Sequence, residues 1–383
     1  MPEVAIIGIG RTPVGEHWDI GLRVLASQAI HAALADAGMP EVDALYLGNA
    51  YGATASSQLH LGALVADYAG LKGIETYTTE AAEASGAAAL RTAYLAVKSG
   101  EVKTVLVVGV EKSTDSLAGA RVRALNAGLD ADYELAHGAT LTAMAAMLMR
   151  RYMYEYNLTL DAFEGFTINA HANGARSEYA MFRNSIKAGR FATAPMIADP
   201  VSLFDSAPDA DGAAALVLTT ADVAADKVPL PVRITGSAVT TDSFALHDRE
   251  DPLYFKAVEL STQRALTQAG INRNAVNLFE LHDAYTIFST LTLEAAGYAA
   301  RGQGWKLAQD STITPSGSLP ISTFGGLKAR GNPAGATGVY QAVEACLQLR
   351  GEADENQLEK ASVALIQNLG GLASTAITHV LQI

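Results

Sequence analysis

The sequence predicts an α/β fold made of two duplicated βαβα halves, with a long insertion in the first half. Three observations lead there. Short apolar runs ending in glycine alternate with segments of helical periodicity. That alternation repeats: residues 232–236 (VRITG) follow the pattern of 4–10 (VAIIGIG), 260–270 (LSTQRALTQAG) that of 26–38, and 277–285 (NLFELHDAY) that of 43–51. Two glycine-marked turns, 80–86 (EAAEASG) and 331–338 (GNPAGATG), each open a helix. A duplication of this kind predicts two predominantly parallel sheets with helices packed between and outside them. Ligands in such folds gather where strand ends and helix starts of both halves meet.

In chain order, residues 4–10 are a buried strand. The Gly8/Gly10 pair has no third glycine opening a helix, so it does not make a dinucleotide fingerprint. Residues 21–38 read as a helix closed by Gly38. Residues 43–48 are the next strand, with 49–51 at its end, and another helix covers 57–70. The turn at 80–86 runs through the small residues 87–89 into a helix over 90–97. Free backbone N–H groups and the positive end of a helix dipole favour negative charge at such a place, and the side chain there is Glu83. Residues 104–110 (TVLVVGV) are a continuous apolar strand, as in a sheet covered on both faces. From 113 to 205 polar stretches alternate with helices over 144–156 and 161–178. Strand returns at 211–219, the clearest linker is 227–231 (KVPLP), and 363–367 and 374–381 close the chain as strands. The first half is thus residues 1–112 with 206–226, the insertion 113–205, and the second half 232–383.

The 383 residues suffice for a large core. A formal charge of −13 with no long basic run argues against a nucleic-acid partner. The lone Cys346 rules out an internal disulfide and a cysteine metal cluster, and no metal site is expected. No apolar run reaches the length of a membrane span, and the N-terminus lacks a basic-then-apolar signal, so a cytoplasmic protein is expected.

The ordered motifs EAAxASG, DGAA, HDAY and GGLKARGxPxGATG run over essentially the whole chain. They resemble the thiolase superfamily, closest to the sterol-carrier-protein type and its archaeal relatives. Residues 170–183 resemble that family's insertion. The resemblance implies a five-layered αβαβα thiolase fold and assembly as a homodimer or homotetramer. It also implies a coenzyme A thioester (acyl-CoA) as ligand, with no tightly bound cofactor, and for some members a small OB-fold zinc-ribbon protein partner. The family's acyl-accepting cysteine falls on Glu83, and the histidine of its Gly-His-Pro motif falls on Asn332. The cysteine that sterol-carrier members carry after His-Asp is Ala284 here, and the C-terminal Cys-x-Gly stretch is 367–371 (QNLGG). His282 is retained.

Thiolysis needs a thiolate that accepts and releases an acyl group, so cysteine-type acyl transfer is not expected. Glu83 is the candidate general base, with His282, Asn332 and backbone amides holding an enolate oxygen. Tyr285 joins them because the resemblance extends to cysteine-free aldolases of steroid side-chain breakdown that rely on tyrosine; Tyr340 is the second tyrosine to test. Four readings stand: carbon–carbon lyase or condensing chemistry through a thioester enolate, a scaffolding subunit, a decarboxylase, and an acetyl-CoA C-acyltransferase with an atypical site. Arg183 and Lys187, clustered with Arg176 and Arg190, are candidates for a CoA diphosphate or form a solvated face. Gly325, Gly326 and Gly370 let the backbone approach a thioester or serve tight turns. Glu83 and Asn332 each also fit a helix-capping role. Met144, Met147, Met149 and Met153 are read as packing of the insertion.

Overall fold

The computed structural model describes residues 2–383. The first half runs β1 (Val4–Arg11), α1 (Leu22–Asp36), β2 (Ala44–Gly48), α2 (Leu61–Tyr68), β3 (Glu75–Thr79), α3 (Ser85–Ser99) and β4 (Val105–Glu111). Next come α4 (Ala118–Asn126), α5 (Leu141–Tyr156), α6 (Glu164–Gly174) and a small ribbon of β5 (Met196–Ala198) and β6 (Val201–Ser202). β7 (Gly212–Thr220) and α7 (Ala221–Ala225) lead to β8 (Val232–Thr241), α8 (Lys256–Ala269) and β9 (Leu278–Glu280). The chain ends with α9 (Thr286–Ala295), α10 (Lys306–Gln309), α11 (Gly326–Ala329), α12 (Thr337–Arg350), β10 (Val363–Gly370) and β11 (Thr375–Gln382).

Strand pairing repeats between the halves. The large sheet has the order β3-β2-β4-β7-β1-β8-β11-β10-β9. β2 lies parallel to β4, as β9 does to β10. β4–β7 and β7–β1 are antiparallel, as are β10–β11 and β11–β8. β3 adds to β2 in parallel and has no second-half counterpart. A short pairing of Val4–Ile6 with Val232–Ile234 joins the two halves.

The expectation of two predominantly parallel sheets is therefore corrected: the sheet is mixed and continuous. β10 and β11 are joined by residues 371–374, too short for the crossover that parallel neighbours need. The helix expected over 57–70 is confined to α2, and the one expected over 161–178 begins as a 3-10 turn and ends with α6. The strand that the match of 277–285 to 43–51 leads one to expect is confined to β9, and the chain from there to Tyr285 is buried loop.

The layers are αβαβα. α1 and α2 cover one outer face, and α8 packs on β8 and β11 at the other with α9 beside it. α3 and α12 touch each other and strands of both halves, forming the central layer. Glycine makes that layer thin. A Cβ on Gly86 would lie 2.6 Å from the Gly335 carbonyl oxygen, and one on Gly338 would lie 2.4 Å from the Ala87 nitrogen. The missing side chains let α3 and α12 start in contact, so the turn at 80–86 meets the turn at 331–338. Met144 and Met149 are buried in the core that α5 shares with Tyr152 and Phe163, whereas Met147 is exposed. Among the described residues no helix is long and apolar enough to cross a membrane.

Candidate functional site

The turn carrying Glu83 is braced by its own side chains. Ala82 takes φ 50°, a left-handed conformation that alanine rarely adopts, and this bends the chain just before Glu83. Ser85 Oγ accepts from the Ala81 N–H at 3.0 Å and donates to the Ala82 carbonyl at 2.5 Å. Gly370 is pressed against the same turn, where a Cβ would stand 2.6 Å from the Ala81 oxygen. Glu83 is buried, and its carboxylate does not cap α3. It reaches across to the second half instead.

Asn332 Nδ2 donates to Glu83 Oε1 at 3.2 Å. Asn332 Oδ1 accepts from the Ala334 N–H at 3.1 Å and from Thr337 Oγ1 at 3.2 Å. One side chain thus holds the turn that leads into α12 and contacts the acid. The Asn332 backbone is also pinned, donating to the Pro208 carbonyl and accepting from the Ala210 N–H. His282 Nε2 lies 3.5 Å from Glu83 Oε2, too long for a good hydrogen bond, and both buried atoms lack a hydrogen-bond partner among the described residues. On the far side of the ring, Asn368 Nδ2 sits 3.0 Å from His282 Nδ1 and also donates to Gln341 Oε1. An amide nitrogen only donates, so Nδ1 is the acceptor and the ring proton sits on Nε2, facing Glu83.

A cavity of about 550 Å³ opens onto this cluster. Glu83, Asn332 and Tyr285 lie in its wall, with Ala284, Thr142, Asp209, His171 and Lys328. His282 stands behind Glu83 and is fully buried. Much of the remaining wall is apolar: Val122, Leu125, Ile186, Ile197, Leu203 and Phe204. Burial holds the Tyr285 phenol protonated well above its usual range, and its oxygen is 2.9 Å from Thr142 Oγ1. Burial also raises the Asp209 carboxyl, opposed by Arg121 at 3.1 Å and reinforced by Glu83. Lys328 is 2% exposed, and burial brings its ammonium down to about 8. A smaller cavity of about 50 Å³ lies on another side of Glu83, lined by Tyr51, whose buried hydroxyl has no hydrogen-bond partner among the described residues.

The other expected residues fall outside this wall. Arg183 and Lys187 are exposed on the loop whose Asn184, Ser185 and Ile186 line the cavity, but neither lines it. Gly325 packs on Gly174 and Gly326 on the Asp283 carboxylate, both at positive φ, so they serve the turn before α11. Tyr340 is in the core between the halves, its hydroxyl donating to the Thr12 carbonyl at 2.9 Å. Cys346 is buried in α12 with its thiol pushed up to about 12, and no cysteine lines the cavity. Arg176 lines a separate cavity of about 1040 Å³ beside α6. Among the described residues no cluster of His, Cys, Asp and Glu has the makings of a metal site. Sequence reading missed His171, Asp209 and Thr142, which come from three segments with no shared spacing. Lys328 had a visible signal, its place in the GGLKARG run.

The family description "Thiolase, N-terminal domain" matches residues 4–222, and "Thiolase C-terminal domain-like" matches residues 238–383. An acetyl-CoA acetyltransferase of Methanothermobacter thermautotrophicus is 37% identical over 99% of both chains. One of Methanocaldococcus jannaschii is 35% identical over 100% of this chain and 99% of the relative. Sterol carrier protein 2 of Bos taurus is 28% identical over 98% of this chain and 71% of its own length. A solved structure named Ltp2-ChsH2(DUF35) aldolase superposes with a TM-score of 0.86 at 24% identity, covering 99% of this chain and 97% of the other, a likeness of fold.

Proposed function

We propose, from the premise that this chain belongs to the thiolase superfamily, that it binds a coenzyme A thioester in the Glu83 cavity and makes or breaks a carbon–carbon bond through the thioester enolate, without covalent acyl transfer. One observation carries this reading: a carboxylate, held by Asn332 and faced by the His282 N–H, occupies the wall of a cavity that no thiol lines. The replacement of the family's cysteine by Glu83 and of its histidine by Asn332 is part of the proposal.

A carboxylate removes a proton well and exchanges thioesters poorly. In the condensing direction Glu83 takes the proton from Cα, and that electron pair becomes the enolate. The Asn332 amide, in the cavity wall, is the donor for the enolate oxygen, while His282, buried behind Glu83, turns its Nε2–H to the acid and, against the expectation from the sequence, does not reach the cavity. Cα then attacks the carbonyl carbon of a second reactant, whose oxygen takes a proton from water to become a β-hydroxyl, while Glu83 gives its proton back to water. Cleavage is the same sequence reversed. Tyr285, protonated, supplies a hydrogen-bond donor in the same wall. Arg183 and Lys187, exposed beside the cavity-lining residues 184–186, would hold the diphosphate of coenzyme A.

The second reading, an acetyl-CoA acetyltransferase, is favoured by the names of the archaeal relatives. The two readings diverge on one measurement. After incubation with acetyl-CoA, intact-mass spectrometry of the protein is expected to show no acetyl adduct. Cleavage of a 3-hydroxyacyl-CoA, followed by release of the carbonyl product, is expected to fall at least ~100-fold in Glu83→Gln. An acyl adduct mapped to residue 83 would overturn the proposal in favour of the acetyltransferase reading.

Assembly belongs to the proposal as well. β3 ends the large sheet with exposed residues and offers an edge for a second copy of the chain. The fold neighbour is named together with a DUF35 protein. Turnover that appears only when a small OB-fold zinc-ribbon partner is added would place this chain as a scaffolding subunit.

A further inference from the structure

The proposed reaction leaves one group without a holder, the β-hydroxyl. Glu83 serves Cα, and Asn332 serves the thioester oxygen. The same cavity has a second polar pole, formed by Lys328 from α11 and His171 from α6. It is embedded in apolar wall, with His171 stacked on Phe182 at 5.9 Å between ring centres.

Lys328 carries three N–H donors, and among the described residues its one acceptor is the Asp205 backbone carbonyl. The nearby carboxylates are already engaged. Asp205 accepts from the Ser202 N–H and Oγ and from Thr286, and Asp283 accepts from the Leu327 N–H and from Ser322. A buried ammonium with spare donors is costly unless an oxygen completes its shell. His171 has the opposite need. Its Nδ1 is 3.3 Å from the Asn184 carbonyl, so Nδ1 carries the proton and Nε2 is a free acceptor. Burial disfavours a second proton on that ring, and the nearby Lys328 adds to it in the same direction.

A ligand group that satisfies both residues must accept from an ammonium and donate to an imidazole nitrogen. A hydroxyl does both, a ketone only accepts, and a carboxylate only accepts. We propose that Lys328 and His171 together hold the β-hydroxyl of the acyl chain, so that the cavity selects 3-hydroxyacyl-CoA thioesters over saturated and 3-oxo ones. This rests on the reading that the cavity takes an acyl-CoA.

The test is isothermal titration of the full chain with octanoyl-CoA, 3-hydroxyoctanoyl-CoA and 3-oxooctanoyl-CoA. The hydroxy compound is expected to bind at least tenfold tighter than either of the others. That ratio is expected to collapse below threefold in Lys328→Met and in His171→Phe. His171→Phe keeps an aromatic ring against Phe182, and it carries the test alone if the buried Lys328→Met chain does not fold. Octanoyl-CoA binding with no gain from the hydroxyl overturns the inference and leaves the acyl-CoA reading standing. A 3-oxo compound that binds as tightly as the hydroxy one, or a ratio that survives in His171→Phe, also overturns it. Failure of all three to bind overturns both.

Discussion

Glu83 is anchored from the second half of the chain: Asn332 donates to one oxygen, and His282 turns an N–H toward the other. The pair sets what a nucleophile placed at residue 83 can do. A thiol placed at residue 83 would lack a base at 332, because an amide does not take a proton from a thiol in this pH range. Glu83→Cys alone is therefore expected to show no thiolysis of acetoacetyl-CoA above background. Glu83→Cys with Asn332→His is expected to gain it. Thiolysis by the single variant, followed by loss of acetoacetyl-CoA absorbance, would show that Asn332 does not stand in the base's place. The Glu83–His282–Asn332 cluster was legible in the sequence because each member sits in a long ordered motif. Lys328, His171 and Asp209 come together only through the packing of α6, α11 and the loop before β7, which no local spacing encodes.

The site exists because α3 and α12 begin in contact. Gly338 has no room for even a methyl group, since its Cβ would meet the Ala87 nitrogen and Cβ at 2.4 and 2.9 Å. Gly338→Ala is expected to destabilise the fold by about 1–3 kcal/mol, the usual range for overpacking a tight core. Its effect on turnover should exceed its effect on folding, because a small shift of α12 moves Asn332 away from Glu83. Thermal unfolding together with kcat checks both, and an unchanged melting temperature would mean that the two helix starts are not in contact. At this scale the sequence was informative about which segments form strands and helices, and about their repetition. It misled on strand direction, which read as predominantly parallel. The apolar runs that become β7 and β11 read alike whether their neighbours are parallel or antiparallel, and only the connections decide. The glycines at 86, 335 and 338 were visible as turn and small-residue signals, but their partners across the central layer were not.

Taken whole, the molecule buries several ionisable groups along the seam between its halves, and this gives its stability a defined pH dependence. Glu111 at the end of β4 accepts from the Ala50 and Tyr51 N–H groups of the first half and from the Gly335 N–H of the second. Burial raises its carboxyl to about 7. Glu280 in β9 accepts from Thr323, and burial raises it to about 8. Unfolded glutamates ionise near 4.3, so above that pH the native state holds protons that the unfolded state has lost. Stability from these groups is full at low pH and declines as pH rises through 7 and 8. His379, lowered by burial to about 3, acts in the opposite sense but only below the unfolded histidine value near 6.5. Lys328, lowered to about 8, begins to add stability only above that pH. Between pH 6.5 and 8 the two glutamates set the sign, and the melting temperature is expected to fall across that window. Glu280→Gln keeps an oxygen acceptor for Thr323 and removes one of the titrations, so its melting temperature should fall less steeply over the same range. Calorimetry at matched ionic strength decides it: equal slopes for the two proteins would mean that Glu280 is already ionised in the folded state at pH 6.5.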